Sequence, residues 1–115
     1  MFIYELVEND RLGIKKDGRN LQTDIEKLSE ETGEFLIELS TDNPDLDKVA
    51  EEGMDLIQVA FDIMFQLGID IESAGDKHNH KLIKDRKWKG NKRLVVKDVY
   101  KHGLGRDIFR NVRSE

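Results

Sequence analysis

The chain has no cysteine among its 115 residues. Disulfides, thiolate metal sites and cysteine nucleophiles are therefore excluded. Lack of cysteine is compatible with the cytoplasm, the expected location. No stretch approaches the roughly 20 apolar residues that a membrane-spanning helix needs. Met1 to Asp10 carries acids and no long apolar run, so a signal peptide is not expected there. Proline occurs once, at Pro44, which leaves long helices unbroken on either side of it. No Gly-x-x-x-x-Gly-Lys-Ser/Thr loop is present, and P-loop chemistry is excluded with it.

What the sequence has in abundance is charge. Charged and hydrophobic residues each make up 37% of the chain, so a core is limited and some burial is expected from self-association. The charge is unevenly placed. Residues 1–75 hold six Lys/Arg against 19 Asp/Glu, whereas residues 76–115 hold 13 Lys/Arg against five Asp/Glu. An acidic body with a basic tail can take cations at one end and phosphates at the other, or the two can complement each other within or between subunits.

Phe2 to Leu12 reads as a helix or an extended arm, and Gly13 to Asn20 as a loop. From Leu21 the pattern turns helical, with Leu21, Ile25, Leu28, Phe35, Leu36 and Leu39 defining one apolar face. The run breaks at Ser40-Thr41-Asp42-Asn43-Pro44. A second helix is expected from near Asp45, capped by Asp45 or Asn43 and stopped by Gly68. Its apolar face comprises Leu46, Val49, Leu56, Ile57, Ala60, Ile63, Met64 and Leu67. Ile69 to Lys87 predicts a third helix, rich in Lys and His. Arg93 to Val96 suggests a short strand, His102 to Gly105 a turn, and Arg106 to Glu115 a short helix or a disordered end.

Two acidic pairs stand out, Glu31/Glu34 on the first helix and Glu52/Asp55 on the second. Residues three apart share a helical face, and like charges there repel. Both pairs also flank the apolar faces, where an ionised carboxylate is costly unless paired or bound to metal. One such pair in so acidic a chain is most simply a solvated face. Two pairs on consecutive helices, able to meet if the helices pack antiparallel, favour an all-oxygen site suited to Mg²⁺ or Mn²⁺. Asp62, seven residues after Asp55, is expected to face solvent. Lys27 is placed to form an i,i+4 ion pair with Glu31 or to reach a phosphate. Lys77, Lys81 and Lys84 share a face of the third helix; His78 and His80 diverge and are expected at the surface.

The segments Lys27-Leu28-Ser29-Glu30-Glu31-Thr32-Gly33-Glu34 and Glu52-Gly53-Met54-Asp55 resemble the EExxE and ExxD motifs of the MazG-like all-α nucleoside triphosphate pyrophosphohydrolases of bacteria and their phages. Asp10-Arg11 and Gly68-Ile69-Asp70 are also similar, and the likeness spans roughly residues 4–90. It implies an all-α fold, an antiparallel helical bundle. Residues 1–90 would form the catalytic domain, and residues 91–115 a basic C-terminal extension, irregular or β-containing, packed on the domain or on a neighbouring subunit. It implies Mg²⁺ (with Mn²⁺ as substitute) held by Glu31, Glu34, Glu52 and Asp55. Glu30, Glu31 and Glu34 would be the catalytic carboxylates, Glu30 in support or activating water. It implies cleavage of a nucleoside triphosphate between its α and β phosphates, giving a monophosphate and pyrophosphate, in a homodimer or homotetramer. Lys27, Lys77, Lys81 and Arg86 are the expected phosphate contacts. No counterpart is found for the tail after Trp88 or for the base-stacking aromatics, so base and sugar preference are open.

The rival reading is a non-catalytic helical module that binds nucleotides, nucleic acid or a protein through the basic tail, where Trp88, Tyr100 and Phe109 interleave with cations. The acidic overall balance makes nucleic acid the less expected partner. No decay of the five motif acids is visible in the sequence.

Overall fold

The computed structural model describes residues 2–15 and 18–98. Among these the regular structure is helical, with three α-helices and no strand: α1 (Leu21–Leu39), α2 (Leu46–Gln66) and α3 (Ile71–His80). A short π-helical stretch, Lys81–Asp85, continues α3. No helix is long and apolar enough to cross a membrane among the described residues. The chain divides into two compact units, one of residues 3–69 and one formed mainly by the residues from Asp70 onward.

Each α-helix opens on a side chain that replaces a missing backbone partner. Asn20 Oδ1 accepts from the Thr23 amide at 2.9 Å, Asp45 Oδ1 from the Asp47 amide at 3.0 Å, and Asp70 Oδ1 from the Ser73 amide at 3.1 Å. Between the two expected caps of α2, Asp45 therefore takes the role. The helix ends where Gly68 turns to φ +69°, with Gly68 N–H donating to Phe65 O and Ile69 N–H to Met64 O, both at 3.0 Å. That pairing is a Schellman cap, and its left-handed residue suits glycine.

The described residues before α1, 2–15 and 18–20, make no helix. They form an arm folded at a turn, where Asn9 and Ile14 exchange two backbone hydrogen bonds of 2.8 Å. Two bonds tie the arm to α2 and a third braces the arm internally. Gln58 Nε2 donates to Tyr4 O at 2.7 Å, Leu6 N–H donates to Asp62 Oδ1 at 3.5 Å, and Arg19 Nη1 donates to Leu6 O at 3.3 Å.

The packing of α1 on α2 departs from the expected apolar seam. Val59 is the one buried hydrophobic residue among those described; the buried polar residues are Asp24, Glu31 and Asp62. Asp24, Glu31 and Glu38 recur every seven residues on α1, so they share the stripe that meets α2. The predicted apolar faces are only partly covered: Leu21, Ile25, Leu36, Leu39, Leu46, Ile57 and Leu67 are exposed, Leu46 at 79%, and the remaining members are half-buried. Hydrophobic period identifies residues on a common face; it does not specify what that face meets.

In the second unit, the helix expected to run to Lys87 changes bonding at Lys81, and Arg86 N–H donates back five residues to Lys81 O at 3.0 Å. Lys87 follows at φ 62°, a left-handed stop made without glycine. Residues 87–98 carry no regular structure. The strand expected at Arg93–Val96 is absent, because no neighbouring strand exists among the described residues to complete its hydrogen bonds. The turn expected at 102–105 and the end at 106–115 lie outside the described residues.

Candidate metal centre

Helix α1 supplies Glu30, Glu31 and Glu34; α2 supplies Glu52 and Asp55. Ligand-capable oxygens fall into two groups, each within 4.8 Å: Glu30/Glu31/Glu34, and Glu31/Glu52/Asp55. Glu31 belongs to both. It is only 4% exposed, Glu52 is half-buried, and Glu30, Glu34 and Asp55 reach solvent. All four expected metal ligands are therefore on one patch of the first unit, with Glu30 beside them.

Close approach of the two helices is helped by Gly53. A Cβ at that position would lie 3.3 Å from Phe35 Cε1, so the absent side chain lets the Phe35 ring lie against the α2 backbone next to Glu52.

Electrostatics in this patch are unbalanced. Lys27 Nζ lies 2.9 Å from Glu31 Oε1 and 3.6 Å from Glu30 Oε1, and no other cation forms an ion pair with the five acids among the described residues. Its pKa is raised, first by the hydrogen bond to Glu31. The Glu34 carboxyl is pushed up to about 7, first by its hydrogen bond to Glu52 and then by loss of solvation and the neighbouring charges. Asp55 is raised by burial and by the charges of Glu31, Glu52 and Glu51. Glu31 Oε2 and Glu52 Oε2 are each buried without a hydrogen-bond partner. A buried carboxylate oxygen left unmatched costs free energy that a cation would offset. The donor set is all oxygen, which fits a hard divalent ion.

A second polar cluster was missed by sequence reasoning. Arg19 Nη2 donates to Asp24 Oδ1 at 2.6 Å and to Asp62 Oδ2 at 3.4 Å, and Gln58 Nε2 donates to Asp62 Oδ1 at 3.0 Å. Asp62, expected in solvent, is only 4% exposed. Burial raises its pKa despite the opposing effects of Gln58, Arg19 and the Leu6 amide. The Arg19 pKa is itself raised: burial works to lower it, and Asp24 and Asp62 together outweigh that. One guanidinium serving two carboxylates makes this cluster the anchor of the arm on α1 and α2.

The expected phosphate contacts are divided. Lys27 lies at the acidic patch, while Lys77, Lys81 and Arg86 are exposed residues of the second unit. Widening of the helix at Lys81 also disturbs the expected cationic stripe, because a three-residue step in a π-helical turn no longer returns Lys84 to the face of Lys81. His78 and His80 are exposed, as expected.

No family model, no curated protein and no solved structure matches the chain.

Proposed function

We propose that the chain is a Mg²⁺-dependent nucleoside triphosphate pyrophosphohydrolase, cleaving its substrate between the α and β phosphates. The observation that carries the reading is the convergence of Glu31, Glu52 and Asp55 from two helices, with buried, unpartnered oxygens on Glu31 and Glu52. The resemblance of Glu30-Glu31-Thr32-Gly33-Glu34 and Glu52-Gly53-Met54-Asp55 to the MazG-like motifs names the reaction. An antiparallel bundle is supported by the order of contacts, in which Asp24 neighbours Asp62, Phe35 neighbours Gly53 and Glu38 neighbours Asp45. The exposed apolar faces of α1 and α2 support a homodimer or homotetramer.

In this mechanism Glu31, Glu34, Glu52 and Asp55 hold the ion, with Mn²⁺ a workable substitute for Mg²⁺. A bound divalent cation neutralises phosphate charge and lowers the pKa of a coordinated water. Glu30 or Glu34, both exposed to solvent, accepts the proton of the attacking water. Lys27 contacts phosphate oxygens at the cluster.

The deciding assay is pyrophosphate release from a panel of NTPs and dNTPs with Mg²⁺, beside a Glu52→Gln control. Absence of metal-dependent release from every nucleotide would overturn the reaction, and equal release by the control would overturn the site.

The rival binding-module reading is favoured by Trp88, 64% exposed among Arg86, Lys87, Lys89 and Lys92. Salt-dependent retention of DNA or RNA, lost on deletion of residues 91–115, would support it.

A further inference from the structure

Lys27 differs from its nearer acidic partner, Glu31, in exposure. Its side chain is 49% exposed, whereas that of Glu31 is 5% exposed. An exposed cation therefore rests on a buried anion. The anion is Glu31, the one carboxylate common to both groups of candidate ligands. The ammonium uses Oε1 and leaves Oε2 buried and unmatched. Its charge also reaches across to Asp55 on α2, which it favours in the ionised form.

A unit positive charge at this place is too small to balance five carboxylates, yet it sits on the carboxylate that both groups of candidate ligands share. The two cannot share Glu31 without repulsion, because an ammonium 2.9 Å from a ligand oxygen would stand in or beside the ion's own coordination shell. The lysine is the partner able to leave. It has a long flexible stem and open solvent around its head, so release costs little.

We propose that Lys27 is a built-in counter-ion of the carboxylate cluster, seated on Glu31 while no divalent ion is bound and displaced from it when one binds, which frees the ammonium for a phosphate group of the substrate. This rests on the metal reading above and adds to it an order of events: the same lysine first guards the site and then serves the ligand.

The role predicts opposite changes from one substitution. Isothermal titration of Mg²⁺ into the intact protein compares wild type with Lys27→Met and Lys27→Arg. Lys27→Met should bind Mg²⁺ roughly two- to fivefold more tightly, the range for a half-exposed ion pair that no longer competes. Lys27→Arg keeps the charge and should stay close to wild type. With Mg²⁺ saturating, inorganic pyrophosphate is the second probe, and Lys27→Met should bind it more weakly than wild type. Mg²⁺ affinity that is unchanged or weakened in Lys27→Met overturns the counter-ion role while the metal reading stands. Unchanged pyrophosphate affinity overturns the transfer to phosphate. No divalent ion binding by wild type would sink the metal reading, and this inference with it.

Discussion

Replacing Glu52 by Gln should make the metal-free protein more stable while removing its response to metal. The carboxylate oxygens of Glu31, Glu52 and Asp55 lie within 4.8 Å of one another. Two unit charges at that separation repel by about 1 kcal/mol in water, and by about 3.5 kcal/mol at an effective dielectric of 20. Glu52 is half-buried and Asp55 exposed, so screening keeps the real figure toward the lower end. Neutralising Glu52 should contribute about 1–2 kcal/mol, helped by an amide that can donate where an oxygen now has no partner. In a domain of this size that corresponds to a Tm higher by roughly 4–8 °C in EDTA. Magnesium should then reverse the ranking. At a hundred times its Kd it stabilises wild type by about 2.7 kcal/mol, and the variant should gain almost nothing. Differential scanning calorimetry in EDTA and in Mg²⁺ reads both effects. A lower Tm for Glu52→Gln in EDTA, or an equal rise of both proteins with Mg²⁺, would refute the reasoning.

Other outcomes follow from the same contacts. Because the Glu34 carboxyl is raised to about 7 in the metal-free protein, its proton must leave as an ion binds. Mg²⁺ affinity should therefore rise about tenfold from pH 6 to pH 8, and Glu34→Gln should flatten that slope in titrations at each pH. Arg19→Met strands Asp24 and Asp62, 2% and 4% exposed, as buried unpaired carboxylates; urea denaturation should show a loss of about 3 kcal/mol or more. Asp62 has a raised carboxyl, so its ionisation opposes folding; the stability of its protonated form is present at low pH and is lost as pH rises through the folded value. The stability of Asp62→Asn relative to wild type should accordingly improve from pH 4 to pH 7, and a decline measured by thermal melts would contradict the sign.

The helices were legible because their ends are chemical. For α2, Asp45 caps with its own side chain and Gly68 takes a backbone angle that suits it; the caps at Asn20 and Asp70 were not read from the sequence. The candidate metal ligands were legible because a three-residue spacing fixes a shared face and the loop at Pro44 lets the two faces meet. The Arg19 cluster was not. Its guanidinium sits outside every helix, where no period reports position, and its partners lie 5 and 43 residues away. Asp62 was placed on the stripe of Asp55 yet assigned to solvent, because spacing gives direction without depth. The apolar stripes misled for a related reason. They are regular, but the buried positions between α1 and α2 are mostly acids, and half of the stripe residues are left exposed.

The Phe35 ring against Gly53 has one more consequence. The distance between the two halves of the acidic patch is set by an aromatic edge pressed on bare backbone, not by the carboxylates themselves. Charges that repel cannot hold their own spacing; a hydrocarbon contact can. Discrimination between a small ion such as Mg²⁺ and a larger one such as Ca²⁺ depends on how far apart the oxygens are held. On the proposed metal reading, ion size would be gauged by a residue pair that carries no charge and offers no ligand.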